Sequence, residues 1–227
     1  LVIDDTNPEI HSLLSNDTNN VTRNDSLLNF TVNATDTNVL SLVLNGTSME
    51  RLDGGAIWYT VNTPSELGCI EDGPCTLRAN ATDIAGNMNS TDYIIVVDNT
   101  NPEVIDISVN DNDSIVKKED SITINTTIFD VNIYAINVSN ATTLSMTEYT
   151  DGEWTISTTA ASLGCNQNNS NCTLTFTAID LAGNENSTTT MELVIDDTNP
   201  EIHSLLSNDT DNVTRNDSLL NFTVDVS

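Results

Sequence analysis

The sequence predicts an all-β protein, a tandem array of antiparallel β-sandwiches. Three observations lead to this fold class. The chain repeats itself at about the length of one domain, its apolar residues alternate with polar ones, and turn signals interrupt the alternation at short intervals.

The repeat is visible at the two ends of the chain. Residues 1–35 and 193–227 align without a gap and differ at four positions, and a looser third copy runs from Ile94 to Asp113. Trp58 and Trp154 lie 96 residues apart (154 − 58), so the period suits one small domain. We interpret the chain as a segment of a longer tandem array. Its parts are the last strand and linker of a preceding unit at 1–8, complete domains at 9–98 and 99–196, and the linker and first strands of a third unit at 197–227.

Alternation of period two marks the strands within each unit. In SLLNFTVNAT, Leu28, Phe30, Val32 and Ala34 face one way and the polar residues between them the other. SITINTTIF, which begins at Ser121, alternates in the same way. Such segments are half-buried strands, and the turn signals DGG, DG, NG and AGN separate them. About six to eight short strands per unit with no helical periodicity favour a sandwich over other all-β arrangements.

Two recurring motifs resemble the immunoglobulin-like (Ig-like) tandem repeats of bacterial and archaeal cell-surface proteins. The motif A-x-D-x-A-G-N occurs at 81–87 and 178–184, and V-D-x-T-x-P occurs at 97–102 with relatives at 3–8 and 195–200. The resemblance covers the whole chain and implies tandem immunoglobulin-like antiparallel β-sandwiches. It is a weak guide to function, because this fold serves stalks, adhesins and spacers alike.

Charge excludes several classes of partner. The formal net charge is −28 with six basic residues, so nucleic acid is excluded and anionic membrane surfaces are disfavoured. No stretch of the sequence approaches the length of apolar residues that a membrane helix needs, so we expect no direct membrane insertion in this segment.

The four cysteines form one close pair in each unit. Cys69 and Cys75, and Cys165 and Cys172, follow the same Leu-Gly dipeptide, and their spacing does not suit a zinc site. We expect a local disulfide in each unit, which indicates an oxidising, extracellular setting. A pair of exposed, reduced thiols is the alternative.

Asparagine in N-x-[S/T] sequons is the second strong signal. Residues 1–192 contain 27 asparagines, of which 15 head a sequon, whereas the serine and threonine content predicts about six. The alternative is that asparagine and threonine merely fill turns and solvent-facing strand positions. The predicted N-glycosylation sites, including four in the last partial unit, are Asn16, Asn20, Asn24, Asn29, Asn33, Asn45, Asn80, Asn89, Asn112, Asn125, Asn137, Asn140, Asn168, Asn171, Asn186, Asn208, Asn212, Asn216 and Asn221.

No catalytic motif is present, and calcium is the one metal worth considering. The sequence lacks a nucleophile elbow, a P-loop and a zinc-protease motif, so we expect no enzymatic activity and no other cofactor. Aspartates and glutamates recur in the linkers and in the A-G-N turns, and aspartates end strands at Asp36 and Asp130. Converging carboxylates suit Ca²⁺, as in some surface repeats that this chain resembles, although aspartate also caps tight turns in the absence of metal. The candidate ligands are Asp5, Asp83, Asp98, Glu103, Asp180 and Asp197.

These observations predict a structural, extracellular protein of the cell surface. The leading hypothesis is a repeating segment of a glycosylated filament, fibre or stalk, whose acidic, sequon-rich character favours an archaeal source. Its expected partners are copies of itself, arranged head to tail, and covalently attached N-glycans. The alternative is the stalk of a calcium-stiffened adhesin whose binding tip lies outside this segment.

Overall fold

Alternating apolar side chains form two complete sandwiches and part of a third unit. A computed structural model describes residues 3–207 and 221–226. The described strands of the first sandwich are β1 Glu9–Ser15, β2 Val21–Thr22, β3 Leu28–Thr35, β4 Val39–Leu44, β5 Thr47–Ser48, β6 Glu50–Arg51, β7 Ile57–Asn62, β8 Gly73–Asp83 and β9 Met88–Val97.

The first sandwich has the strand order of an Ig-like domain. One sheet has the order β1-β3-β7-β6 and the other β2-β9-β8-β4-β5. The pairs are antiparallel except β2 and β9, which run parallel, with Val21 opposite Val96. The chain therefore crosses from one sheet to the other between β1 and β2, and its final strand ends beside β2.

The second sandwich repeats this arrangement. Its sheets have the orders β10-β12-β16-β15 and β11-β18-β17-β13-β14. A single turn of 3₁₀ helix, Ala161–Leu163, precedes its disulfide loop. The strands are β10 Glu103–Val109, β11 Ile115–Val116, β12 Ser121–Phe129, β13 Ile133–Ser139, β14 Thr143–Ser145, β15 Thr147–Thr150, β16 Glu153–Thr159, β17 Ser170–Asp180 and β18 Glu185–Ile195.

Each sandwich has its own apolar core. Phe30 on β3 and Leu77 on β8 are fully buried in the first core, and Ile124 and Phe176 are fully buried in the second. The inward residues predicted on β3, from Leu28 to Ala34, are all buried. The prediction of an all-β chain of tandem sandwiches is therefore confirmed.

The last described strands form a hairpin without a sandwich around it. β19 (Ile202–Ser207) pairs only with β20 (Phe222–Val226) among the described residues. Phe222 is 61% exposed, whereas its repeat counterpart Phe30 is 0% exposed. The hairpin has the pairing of β1 with β3, and it presents its apolar side chains to solvent.

Candidate metal centre at the domain junctions

The linkers between units share a local conformation that their first aspartate sets. Each linker has the form D-x-T-N-P, at residues 4–8, 98–102 and 196–200. Oδ1 of Asp98 accepts the backbone N–H of Thr100 at 3.1 Å, and Asp4 and Asp196 make the same bond to the threonine two residues on. This Asx turn fixes the direction of the first aspartate in every linker.

Two asparagines of the downstream sandwich hold each of the first two linkers. Nδ2 of Asn184 donates to the backbone oxygen of Asp98 at 2.9 Å, and Nδ2 of Asn186 donates to that of Pro102 at 2.9 Å. Asn87 and Asn89 make the equivalent bonds to residues 4 and 8, also at 2.9 Å. Both ends of the linker are thus bonded to the turn that joins the last two strands of the following sandwich.

The A-G-N turn positions these asparagines. Asp180 ends β17, and its carboxylate accepts the backbone N–H of Asn184 at 2.8 Å and the side-chain Nδ2 of Asn184 at 2.7 Å. Gly183 adopts φ of 86°, a left-handed conformation that glycine takes without strain. The motif is therefore a self-bonded turn that presents an asparagine to the linker and buries an aspartate beside it.

Three carboxylates meet at each of two junctions. Asp98, Asp130 and Asp180 each place a carboxylate oxygen within 4.8 Å of the others, and Asp4, Asp36 and Asp83 do the same in the first sandwich. The three aspartates come from the linker, from the residue that follows β3 or β12, and from the end of β8 or β17. Because the same cluster forms in both units, it is a property of the repeat.

The clusters are partly removed from water. Asp83 is 1% exposed, Asp180 2% and Asp98 8%, whereas Asp4 and Asp36 of the first cluster and Asp130 of the second are half-buried. Oδ2 of Asp36 is buried and accepts no hydrogen bond from the described residues. Carboxylate oxygens at this spacing and depth suit a hard divalent cation such as Ca²⁺.

The electrostatics differ among the cluster aspartates. Burial raises the pKa of Asp130, and the neighbouring carboxylates of Asp98 and Asp180 raise it further against the backbone N–H groups that lower it. At Asp83 burial also opposes ionisation, but hydrogen bonds, chiefly from the side chain and backbone of Asn87, outweigh it and lower the pKa. Burial and the neighbouring carboxylates thus oppose the ionisation of Asp130.

Three of the six ligands predicted from sequence belong to one or other of the two clusters. Asp98 and Asp180 share one cluster and Asp83 belongs to the other, whereas Asp5, Glu103 and Asp197 lie outside both. Asp197 instead accepts the backbone N–H of Lys118 at 3.1 Å. The cluster members absent from the predicted set are Asp4, Asp36 and Asp130.

A sequence signal for the missing aspartates does exist. Buried residues on β3 fall at every second position up to Ala34, and the next inward position is Asp36. The buried positions of β12 lead in the same way to Asp130, and those of β8 to Asp83. An aspartate on the inward phase at a strand end thus identifies the cluster.

Each unit contains one disulfide, which lies at the end of the sandwich opposite to the preceding linker. Cys69 is bonded to Cys75, and Cys165 to Cys172, with Cα–Cα distances of 5.8 and 5.6 Å. Each bond ties the loop after β7 or β16 to the β8 or β17 region. The described residues contain no free cysteine.

The described sequon asparagines differ in how their Nδ2 atoms, the sites of sugar attachment, are engaged. Asn29 on β3 and Asn125 on β12 are exposed, and Asn80 and Asn137 are half-buried on the outer faces. Asn208, Asn212 and Asn216 lie outside the described residues. Nδ2 donates a hydrogen bond within the protein at Asn24, Asn45, Asn89, Asn140, Asn168, Asn171 and Asn186.

Comparison with known proteins gives a likeness to other repeat structures. No protein-family model and no curated protein matches the sequence. A chain of a 1.5-MDa bacterial ice-binding adhesin is 18% identical, with 90% of this chain and 70% of that one covered and a TM-score of 0.45. A Ca²⁺-stabilised adhesin with which an Antarctic bacterium binds ice is 19% identical at a TM-score of 0.47, and the match covers 87% of this chain and 51% of that one. Fibronectin(III)-like modules of Clostridium thermocellum CbhA are 11% identical, with 83% and 94% covered and a TM-score of 0.44. No functional conclusion follows from likeness at this level.

None of the helices among residues 3–207 and 221–226 has the length and apolar character to cross a bilayer.

Proposed function

We propose that this chain is a segment of an extracellular stalk at the cell surface, whose Ig-like units are held end to end by calcium at the three-aspartate clusters. The observation that carries this proposal is the composition of the second cluster. Asp98 continues directly from the last strand of the first unit, whereas Asp130 and Asp180 belong to the second unit. A cation bound by all three would connect consecutive units.

The hydrogen bonds around the linker support a mechanical role. The backbone N–H of Asp98 donates to Thr22 of the first unit at 2.9 Å, and the backbone oxygen of Asp98 accepts Nδ2 of Asn184 of the second unit. The protein alone therefore sets the direction of the linker, and a divalent cation would offset the repulsion among the carboxylates. Stiff junctions would let tandem sandwiches extend away from a surface.

A calcium titration tests this role. We expect isothermal titration calorimetry of the full chain to detect two sites, one lost in Asp83→Asn and the other in Asp180→Asn. Asp106→Asn, an exposed carboxylate on β10, is the matched control and should leave both sites intact. Small-angle scattering should give a larger maximum dimension with calcium than with chelator. Calorimetry without detectable binding heat at millimolar calcium would contradict the proposal.

A glycosylated filament is the second candidate, and the sequons and the terminal hairpin favour it. The apolar side chains of β19 and β20 match residues that lie in the core of the first unit. Leu205 is 66% exposed where Leu13 is 8% exposed, and Val224 is 50% exposed where Val32 is 0% exposed. A second copy of this chain whose strands covered this face would extend the array head to tail as a fibre. Electron microscopy of native material should then display a fibre that repeats every two units.

Glycosylation itself makes a positional prediction. Sugar should occupy Asn29 and Asn125, which are exposed on outer strand faces, more often than Asn89 and Asn186, whose Nδ2 atoms hold the linkers. Glycopeptide mass spectrometry of native material measures the occupancy at each site. Equal occupancy at the two classes of site would contradict this reasoning, and bare peptides at Asn29 and Asn125 would remove glycosylation from the proposal.

A further inference from the structure

The two linkers that leave complete units differ at their second residue, and the upstream unit differs with them. The first linker reads D-N-T-N-P with Asn99, and the second reads D-D-T-N-P with Asp197. The upstream residue that contacts this position is Asp72 at the first junction and Asn168 at the second. Acid and amide have thus exchanged places between the two junctions.

The first junction uses the carboxylate of Asp72 as an acceptor for three groups. Its Oδ1 accepts the backbone N–H of Asn99 at 2.9 Å and Nδ2 of Asn99 at 2.7 Å. Its Oδ2 accepts the hydroxyl of Thr100 at 2.8 Å. The side chain of Asn99 completes the contact by accepting the backbone N–H of Asn24 at 2.9 Å. An amide at position 99 is needed here because it both donates and accepts.

The second junction reaches the same backbone arrangement with the roles reversed. Oδ1 of Asn168 accepts the backbone N–H of Asp197 at 2.7 Å, but its Nδ2 donates to the hydroxyl of Thr198 at 2.9 Å. The carboxylate of Asp197 accepts the backbone N–H of Lys118 at 3.1 Å and lies 3.5 Å from its Nζ. The threonine hydroxyl, which can donate or accept, permits both arrangements.

From this exchange we infer that residues 72 and 168 are specificity determinants of the contact between a unit and the linker that leaves it, so that an acidic residue there excludes a linker aspartate whereas an asparagine admits one. The physical basis is that two carboxylates facing each other would repel and neither could donate. The first junction would be the more vulnerable to such a mismatch, because the residue equivalent to Lys118 there is Asn24 and provides no cation. The pairing therefore distinguishes the two junctions and matches each linker to the unit that precedes it.

The inference is separate from calcium, so its test is made on the full chain in chelator. Hydrogen exchange of the residue-99 amide, followed by NMR, reports the bond to residue 72. Asn99→Asp should increase the exchange rate about tenfold, because it places two carboxylates together. Asp72→Asn alone should change the rate little, because an asparagine there can accept the amide as Asn168 does.

The double variant decides the matter. Asp72→Asn combined with Asn99→Asp recreates the second junction and should return the exchange rate to within about threefold of the original, since the carboxylate pair is gone. The control is Asp106→Asn, which removes one exposed charge away from the junction, and the amide of Leu77 in the core reports that each variant is folded. Exchange in the double variant as fast as in Asn99→Asp would overturn the inference. So would an unchanged rate in Asn99→Asp itself.

Discussion

Replacing Asp130 with asparagine should change stability in opposite directions with and without calcium. In chelator the three carboxylates of the second cluster repel one another, and the fold already raises the pKa of Asp130 by burial and by the charges of Asp98 and Asp180. The substitution removes one of these charges. With calcium present the same change removes a charged ligand, so the variant should be the less stable protein.

The geometry of the cluster gives the size of both effects. Two charges 4.8 Å apart interact by about 3.5 kcal/mol at an effective dielectric constant of about 20. Asp130 is half-buried, so solvent screening should leave a gain of about 1 kcal/mol for Asp130→Asn in chelator. Calcium at a hundredfold excess over its Kd should stabilise the original protein by about 2.7 kcal/mol, most of which the variant should lose.

The pH dependence of the apo protein follows from the same shift. A carboxyl group with a raised pKa in the folded state binds protons on folding, so its destabilising effect is present above the folded pKa. Stability should therefore rise as the pH falls through the folded pKa of Asp130, towards its unfolded value. This contribution should be absent in Asp130→Asn.

Urea unfolding of the original protein, of Asp130→Asn and of the control Asp106→Asn measures these effects in calcium and in chelator. The decisive quantity is the difference in unfolding free energy between the two conditions. If Asp130→Asn is less stable than the original protein in chelator, the repulsion argument is wrong. If calcium stabilises the variant as much as the original protein, Asp130 is not a ligand.

Two further predictions use the repeat as its own control. In urea unfolding, Gly164→Ala should lower the unfolding free energy by more than Gly68→Ala does. Both glycines have positive φ, which costs alanine about 1–2 kcal/mol of strain, but a Cβ at Gly164 would also lie 2.5 Å from the Cβ of Ala141, whereas nothing lies within 4 Å at Gly68. Equal losses in the two variants would contradict this prediction. Asn184→Ala should lower the unfolding free energy by about 1–3 kcal/mol, because it leaves Oδ2 of Asp180 and the backbone oxygen of Asp98 without their side-chain donor. A loss no larger than that of an exposed Asn→Ala change would contradict the role of Asn184 in holding the linker.

The sandwiches were predictable because their long strands obey a simple period. Residues from Leu28 to Ala34 alternate in the sequence as they do in the core. The strands β2 and β11 were not predictable, because two residues are too short to display a period and their parallel pairing depends on the distant final strands. The alternation of residues along the chain thus identifies the long strands. The crossing of the chain between sheets depends instead on tertiary contacts that the alternation does not encode.

The three-aspartate clusters were only half predictable for a related reason. Linker acidity was apparent, but the choice between Asp4 and Asp5 depends on a turn beyond the end of the strand, where alternation no longer applies. Glu103 lies outside the clusters for a different reason, since the inward residue at the start of β10 is Val104 and its neighbour faces outward. Strand phase carried to the first residue beyond each strand would have placed Asp36 and Asp130 at the site.

Comparison of the two units separates what the junction requires from what it permits. The linkers at 4–8 and 98–102 both keep the inward aspartates, the Asx turn and the two asparagine donors, and these groups act on backbone atoms or on one another. The contact with the upstream unit, at linkers 98–102 and 196–200, keeps only its geometry, since the carboxylate of Asp72 and the amide oxygen of Asn168 accept equivalent backbone N–H groups. The downstream contacts would therefore serve any unit of the array, whereas the upstream contact distinguishes one junction from the next. Such a division lets a repeated domain form a stiff, ordered series without a different fold at each position.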